Sequence, residues 1–251
     1  MLASPGAVCD GDADGAQWES GGCTLGRVNW GVPIAIVDVL RERGDLRVCV
    51  EAGTYRGAST ELLAARFDRV VTIEASPALA ALAQRRFAGL SCVQVVQGDS
   101  SAVLPALLDR LDQPTLFWLD SHYCGPETFG VDRQCPVIEE IRAIVAAAPE
   151  HVVLIDDARL FFEPPPLPLD ADQWPSLGEI CAAFAAGRHP RFVAVHDDVI
   201  FAVPESLRPP LVEWLVREVT RREHATFAAR MSAMRKTFRR WCGLGRPGEK
   251  S

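Results

Sequence analysis

The stretch from Val48 to Glu74 limits this chain's fold more than any other. An apolar strand ends in Glu51-Ala52-Gly53-Thr54-Tyr55-Arg56-Gly57, a helix follows, and a second apolar strand ends in Glu74. An acid closing one strand, a glycine turn opening a helix and another acid one unit later make a nucleoside-binding arrangement. The turn approaches the ligand closely, and the second carboxylate accepts hydrogen bonds from two ribose hydroxyls. A dinucleotide site would need a further glycine where the backbone lies against a pyrophosphate. Tyr55 and Arg56 stand there instead. No Gly-Lys-Ser/Thr follows a glycine run either, so a Walker phosphate loop is absent.

The chain repeats this unit. Strands are expected over Leu46–Glu51, Val70–Glu74, Cys92–Val96, Thr115–Asp120 and His151–Ile155, with helices between them, one opening at Pro77 and another at Cys135-Pro136. The strands are continuous apolar runs, which indicates a sheet covered on both faces. Five strand–helix alternations imply parallel order with right-handed crossovers. Phe192–Val203 then reads as two strands broken by Asp197-Asp198, a tight hairpin. The expected fold is α/β: a doubly wound, mostly parallel seven-stranded sheet ending in an antiparallel hairpin. Residues 1–26 read as a flexible leader, 27–205 as the α/β domain and 206–251 as a basic helical tail. The proline-rich stretch from Glu163 to Pro175 has the length of a lid.

Charge separates these parts. Residues 206–251 hold eleven Arg/Lys against four Glu, a net of +7, so an overall −7 leaves −14 on residues 1–205. Such an acidic body argues against a nucleic-acid substrate. The basic tail reads as a solvated helical face, on which Trp214 and Trp241 would suit a homodimer contact. No run of eighteen apolar residues and no secretory pattern occurs, so neither a membrane partner nor export is expected. Eight cysteines without a Cys-x-x-Cys fit a reduced, cytoplasmic setting; Cys124 and Cys135, flanking one loop, are the pair that would bridge in an oxidising one.

Ligands in a doubly wound sheet sit outside the carboxyl ends of the strands. Glu51, Glu74, Asp99, Asp120 and Asp156-Asp157 all fall there. Each alone would pass as a helix cap. Acids at five successive strand ends repel one another unless a cation or hydrogen-bond donors offset them.

The turn suits a nucleoside that carries no phosphate, and S-adenosylmethionine is the common cofactor of that kind. VCVEAGTYRGAST, residues 48–60, resembles the first motif of class I S-adenosylmethionine-dependent methyltransferases. It is most similar to the E-x-G-x-x-x-G form of the metal-dependent catechol and macrolide-sugar O-methyltransferases. The resemblance covers roughly Asp45 to Pro204 and implies their Rossmann-like fold. It implies that Glu51 and Gly53 border the cofactor's methionine part, with Thr54, Tyr55 and Gly57 of the same turn also binding the cofactor. Glu74, with Ala75, would bind the ribose; Asp99 and Ser100 would lie beside the adenine; Asp120 would close the pocket. Those enzymes place an Asp after the fourth strand and an Asp-Asp or Asp-Asn pair after the fifth as magnesium ligands. Asp120, Asp156 and Asp157 fit that pattern. The stretch WLDSHYCGPETFG also resembles a WLD-x-HYSGG segment of bacterial methyltransferase-like proteins, with Cys124 replacing the serine.

His122, two residues after Asp120, departs from the sugar and catechol enzymes. It reads as a general base acting with Asp120, as a fourth ligand favouring Mn²⁺ or Fe²⁺ over Mg²⁺, or as a polar loop residue. A catechol-type lysine base is excluded, because Lys236 and Lys250 are the only lysines and both lie in the tail; His196 at the hairpin is an outside candidate. The expected activity is metal-assisted O-methylation of a small hydroxylated acceptor, a sugar or secondary metabolite. The competing readings are a metal-dependent isomerase or hydrolase on the same fold, and a non-catalytic cofactor-binding protein.

Overall fold

A computed structural model describes residues 31–123 and 130–241, with side chains as far as residue 237. The expected leader and Cys124 lie outside the described residues. The chain forms two compact units, Met1–Pro209 and Pro210–Ser251.

The first unit holds one seven-stranded sheet. Its strands are β1 (Val48–Ala52), β2 (Arg69–Glu74), β3 (Val93–Gln97), β4 (Thr115–Leu119), β5 (Val152–Ile155), β6 (Arg191–His196) and β7 (Val199–Pro204). Their order is β3-β2-β1-β4-β5-β7-β6. The first five pair in parallel, and β7 runs antiparallel to both β5 and β6. The order reverses between β1 and β4, which opens a crevice above their carboxyl ends. This is the class I methyltransferase fold.

Every residue of β1, β4, β5 and β7 is buried, as a sheet covered on both faces requires. Two strands depart from that expectation. β3 and β6 are only half-buried because they form the two edges of the sheet, where neighbours cover them on one side alone. Cys49 is fully buried, a small hydrophobe in the core, whereas Cys92 beside β3 is half-buried.

The covering helices are α1 (Ile34–Arg43), α2 (Ala58–Ala64), α3 (Pro77–Phe87), α4 (Ser100–Leu108), α5 (Val137–Ala146), α6 (Arg159–Phe162) and α7 (Leu177–Ala185). Local chemistry sets their starts. Ser76 caps α3 with Pro77 in the first turn, and Asp99 caps α4 by accepting from the Ser101 N–H. Ser176 and Glu179 close a capping box on α7. The hairpin turn is built by Asp197 and Asp198, both at positive φ (47° and 66°), as a primed turn demands. The expected lid carries a short 3-10 turn at Ala171–Gln173 and buries Trp174.

The second unit, from Pro210 on, holds nearly all of the helix α8 (Arg208–Trp241), a single helix of 34 residues. Pro209 and Pro210 fall in its first turn, where their missing N–H groups cost nothing. Glu213 pairs with Arg217, and Glu218 with Arg221 and Arg222, at the three- and four-residue spacings that neighbour on a helix. No helix of the described residues is long and apolar enough to cross a membrane.

Candidate functional site

The first βα turn is positioned by sterics. Gly53 sits at φ +92°, and a Cβ there would lie 2.0 Å from the Asp120 carbonyl oxygen. Only glycine lets the end of β1 pass that close to the end of β4. Gly57 at φ +81° starts α2, and a Cβ would meet the Phe87 ring at 2.8 Å. Its role is to cap and pack the helix. Tyr55 is also left-handed (φ 47°), which aims its N–H at Glu74 Oε2, 2.8 Å away. The other oxygen of Glu74 accepts from the Ser76 N–H at 2.9 Å. Glu74 thus faces the Gly53 turn, and each of its oxygens keeps a further lone pair. Ala75 beside it is half-buried.

Glu51 is fully buried under this turn. Its Oε2 accepts from Thr60 Oγ1 (2.5 Å) and Thr72 Oγ1 (2.7 Å), and Thr72 in turn shares a 2.5 Å hydrogen bond with Thr54. Its Oε1 has no hydrogen-bond partner. Burial pushes the carboxyl up to about 8, against the pull of the two threonine hydroxyls. On the β3 side, Asp99 accepts from the Ser101 N–H at 2.9 Å and from Arg133 Nη1 at 3.2 Å, so it serves as a helix cap as well as a rim carboxylate.

The acceptor half is denser in charge. His122 stands between two acids, with Nε2 2.7 Å from Asp157 Oδ2 and Nδ1 3.6 Å from Asp120 Oδ1. Arg159 Nη1 binds Asp157 Oδ1 at 2.6 Å and also reaches Asp198 in the hairpin turn. Burial raises the Asp120 carboxyl, as do Asp157 and Glu140, although His122 opposes them. Asp156 is raised by burial and by Asp120 and Asp157 together. Burial acts on Asp157 too, but His122 and Arg159 outweigh it and hold that carboxyl well below its ordinary value. Of the three, Asp157 keeps its charge, committed to a histidine and an arginine. Among the described residues, no group of three or more His, Cys, Asp or Glu side chains stands ready to hold a metal ion.

Four contributors have no local sequence signal. Glu140 on α5 is fully buried, and its Oε1 accepts from Ser121 Oγ at 2.6 Å and from Ser100 Oγ. It thereby ties the Asp120–His122 loop to the first residue of α4. Arg159 and Asp198 form the bridge described above. Gln134 pins the expected lid: its Oε1 accepts from the Asp170 N–H (2.9 Å) and Trp174 Nε1 (3.2 Å), and its N–H donates to Gln173 Oε1 (2.9 Å). Trp174 so held packs against His122, ring centroids 5.4 Å apart, and against Phe161. His196 ends β6 with Nε2 3.5 Å from Asp197. Cys135 is a buried free thiol, pushed up to about 12 by burial.

No protein-family model and no curated protein matches the chain. Solved structures do. The O-methyltransferase TomG from Streptomyces achromogenes, solved with S-adenosylmethionine, is 22% identical over 68% of this chain and 79% of its own, at a TM-score of 0.44. The amino pentose methyltransferase CalS10 from Micromonospora echinaspora is 17% identical over 68% of this chain and 89% of its own, at 0.45. The 23S rRNA methyltransferase ErmE is 20% identical over 49% of this chain at 0.35, and the match spans only 46% of that enzyme. These likenesses are loose, so the functional reading rests on this chain's own residues: a class I methyltransferase fold with a crevice rimmed by carboxylates at the ends of its first five strands.

Proposed function

We propose that the chain transfers a methyl group from S-adenosylmethionine to a hydroxyl of a small acceptor. The observation that carries this reading is the pairing of Glu74 with the Gly53–Tyr55 turn, held by the 2.8 Å hydrogen bond from the Tyr55 N–H. A carboxylate with spare acceptor capacity beside a close-approach glycine fits a ribose. The orphaned Oε1 of Glu51 fits a donor arriving from a ligand in the same crevice.

When bound, the cofactor supplies an electrophilic methyl on a sulfonium centre. In this reading Glu74 holds the ribose with Ala75 beside it, and Asp99 and Ser100 border the adenine. Glu51, Gly53, Thr54, Tyr55 and Gly57 frame the methionine end, with Asp120 beyond them. His122 is the base. Asp157 takes the hydrogen of Nε2 and so fixes the ring, leaving Nδ1 to accept the acceptor hydroxyl's proton. Trp174, clamped by Gln134, limits that space to a small molecule.

A divalent cation fits this half in part. Asp120 and Asp157 both help to raise Asp156, and a cation would relieve that repulsion. Mg²⁺ commonly takes one or two carboxylates and keeps its waters. Asp120 and Asp156 are the proposed ligands. Asp157 joins them only on release from Arg159 or His122, and a ligating His122 would favour Mn²⁺ or Fe²⁺. The metal would orient the acceptor hydroxyl and lower its pKa. The deciding experiment is titration calorimetry with S-adenosylhomocysteine on the wild type and Glu74→Ala, followed by methyl transfer to a panel of hydroxylated acceptors with and without Mg²⁺. Undiminished affinity in the variant would defeat the ribose assignment.

A further inference from the structure

The α/β unit leaves the basic helix unexplained. From residue 224 to Trp241, α8 contains no Asp or Glu, but it carries Arg230, Arg235, Lys236, Arg239 and Arg240. Its apolar residues are Phe227, Met231 and Met234, and the sequence continues the same four- and three-residue steps to Phe238 and Trp241. At 100° per residue these positions fall on one narrow stripe. Arg230 lies on one shoulder of that stripe and Arg235 on the other, while Lys236 points away. The stripe is open to solvent: Phe227 is 66% and Met234 59% exposed.

Singly exposed apolar side chains need no explanation. A Phe and two Met aligned over two turns, between arginines and without an acid, are a different case. A second copy of the helix is a poor occupant. Laid parallel, it would set the same cations side by side. Laid antiparallel, it would offer Glu213 and Glu218, which Arg217, Arg221 and Arg222 already engage, and only Glu223 besides against the Arg and Lys residues of the basic half. A single-stranded nucleic acid would use the cations and would stack on Phe227, but the thioether chains of Met231 and Met234 offer it no stacking face. An anionic lipid surface uses both: the apolar side chains enter the acyl boundary, and the arginines extend to the headgroup phosphates.

We propose that residues 224–241 form an interfacial helix that lies on membranes containing anionic phospholipid. The reading that no membrane partner exists then applies only to spanning segments. The helix brings the acidic catalytic unit to a lipid surface through electrostatics and a shallow apolar stripe.

The test uses the full chain in co-sedimentation with two kinds of vesicle, phosphatidylcholine alone and phosphatidylcholine with phosphatidylserine. Binding to the anionic vesicles should be at least about tenfold tighter and should weaken as salt is raised. The double variant Phe227→Glu, Met234→Glu should lose most of that binding. Its helix content by circular dichroism and its thermal transition should match the wild type, since both positions are exposed. Arg230→Ala with Arg235→Ala should lower binding to anionic vesicles alone. Equal binding to both vesicles, or none, would overturn the proposal. So would a dimer in sedimentation equilibrium that the Phe227/Met234 variant dissolves. Salt-sensitive binding to a single-stranded RNA that the Phe227/Met234 variant leaves intact would also overturn it.

Discussion

The two halves of the crevice handle buried acid by opposite means. Around β1 and β2, Glu51 and Glu74 are answered by neutral donors: threonine hydroxyls and backbone N–H groups. Around β4 and β5, Asp157 is answered by the Arg159 guanidinium and the His122 imidazole, while Asp156 is left facing the repulsion of Asp120 and Asp157. At Glu74 the neutral donors fix the carboxyl's direction and leave it spare acceptor capacity, which suits recognition of hydroxyls on a ligand. The Arg159 guanidinium offsets the Asp157 charge, and Asp157 in turn orients the proton-accepting His122, which suits chemistry. One half is arranged to bind and the other to react.

The widest separation between the halves should come from single substitutions. Glu74→Ala should weaken S-adenosylhomocysteine binding about a hundredfold or more, since it removes hydrogen bonds to a charged group. Calorimetry reads this directly, and a loss below about threefold would erase the distinction. On the other side, His122→Gln should lower turnover by about 10²–10⁴ with cofactor affinity unchanged. If affinity fell with turnover, the two halves would not be separable.

A next test uses pH. The folded-state carboxyl of Glu51 sits near 8, above its ordinary value. The native state therefore holds a proton that the unfolded chain releases, and stability falls as pH rises from about 4.5 to 8. The melting temperature of the ligand-free protein should decline over that window, and Glu51→Gln should flatten the decline. A profile unchanged by the substitution would assign the loss elsewhere. The smallest effect is expected at the clamp. Gln134→Ala removes the acceptor shared by the Asp170 N–H and Trp174 Nε1, so the acceptor KM should rise about tenfold while kcat holds within about threefold.

Much of this was legible in the sequence, for reasons that are local. Apolar runs bounded by acids mark β1 to β5, and Pro77 fixes the start of α3 to the residue. Asp197-Asp198 marks the hairpin because few residues other than glycine tolerate positive φ. The rim acids are visible because each lies within two residues of a strand's carboxyl end. The sequence is silent where tertiary packing decides. Glu140 with Ser100, Arg159 with Asp198, and Gln134 with Trp174 join residues about forty positions apart, and no local pattern announces such a pairing.

The 2.0 Å that separates an imagined Gly53 side chain from the Asp120 carbonyl reaches beyond one turn. The main chains of the binding half and the reacting half are wedged together there, so neither can shift without moving the other. A lineage adapting this scaffold to a new acceptor would have little freedom along β4. Its room for change lies in the proline-rich segment over His122, which is held to the body of the protein by the Gln134 side chain and the buried Trp174.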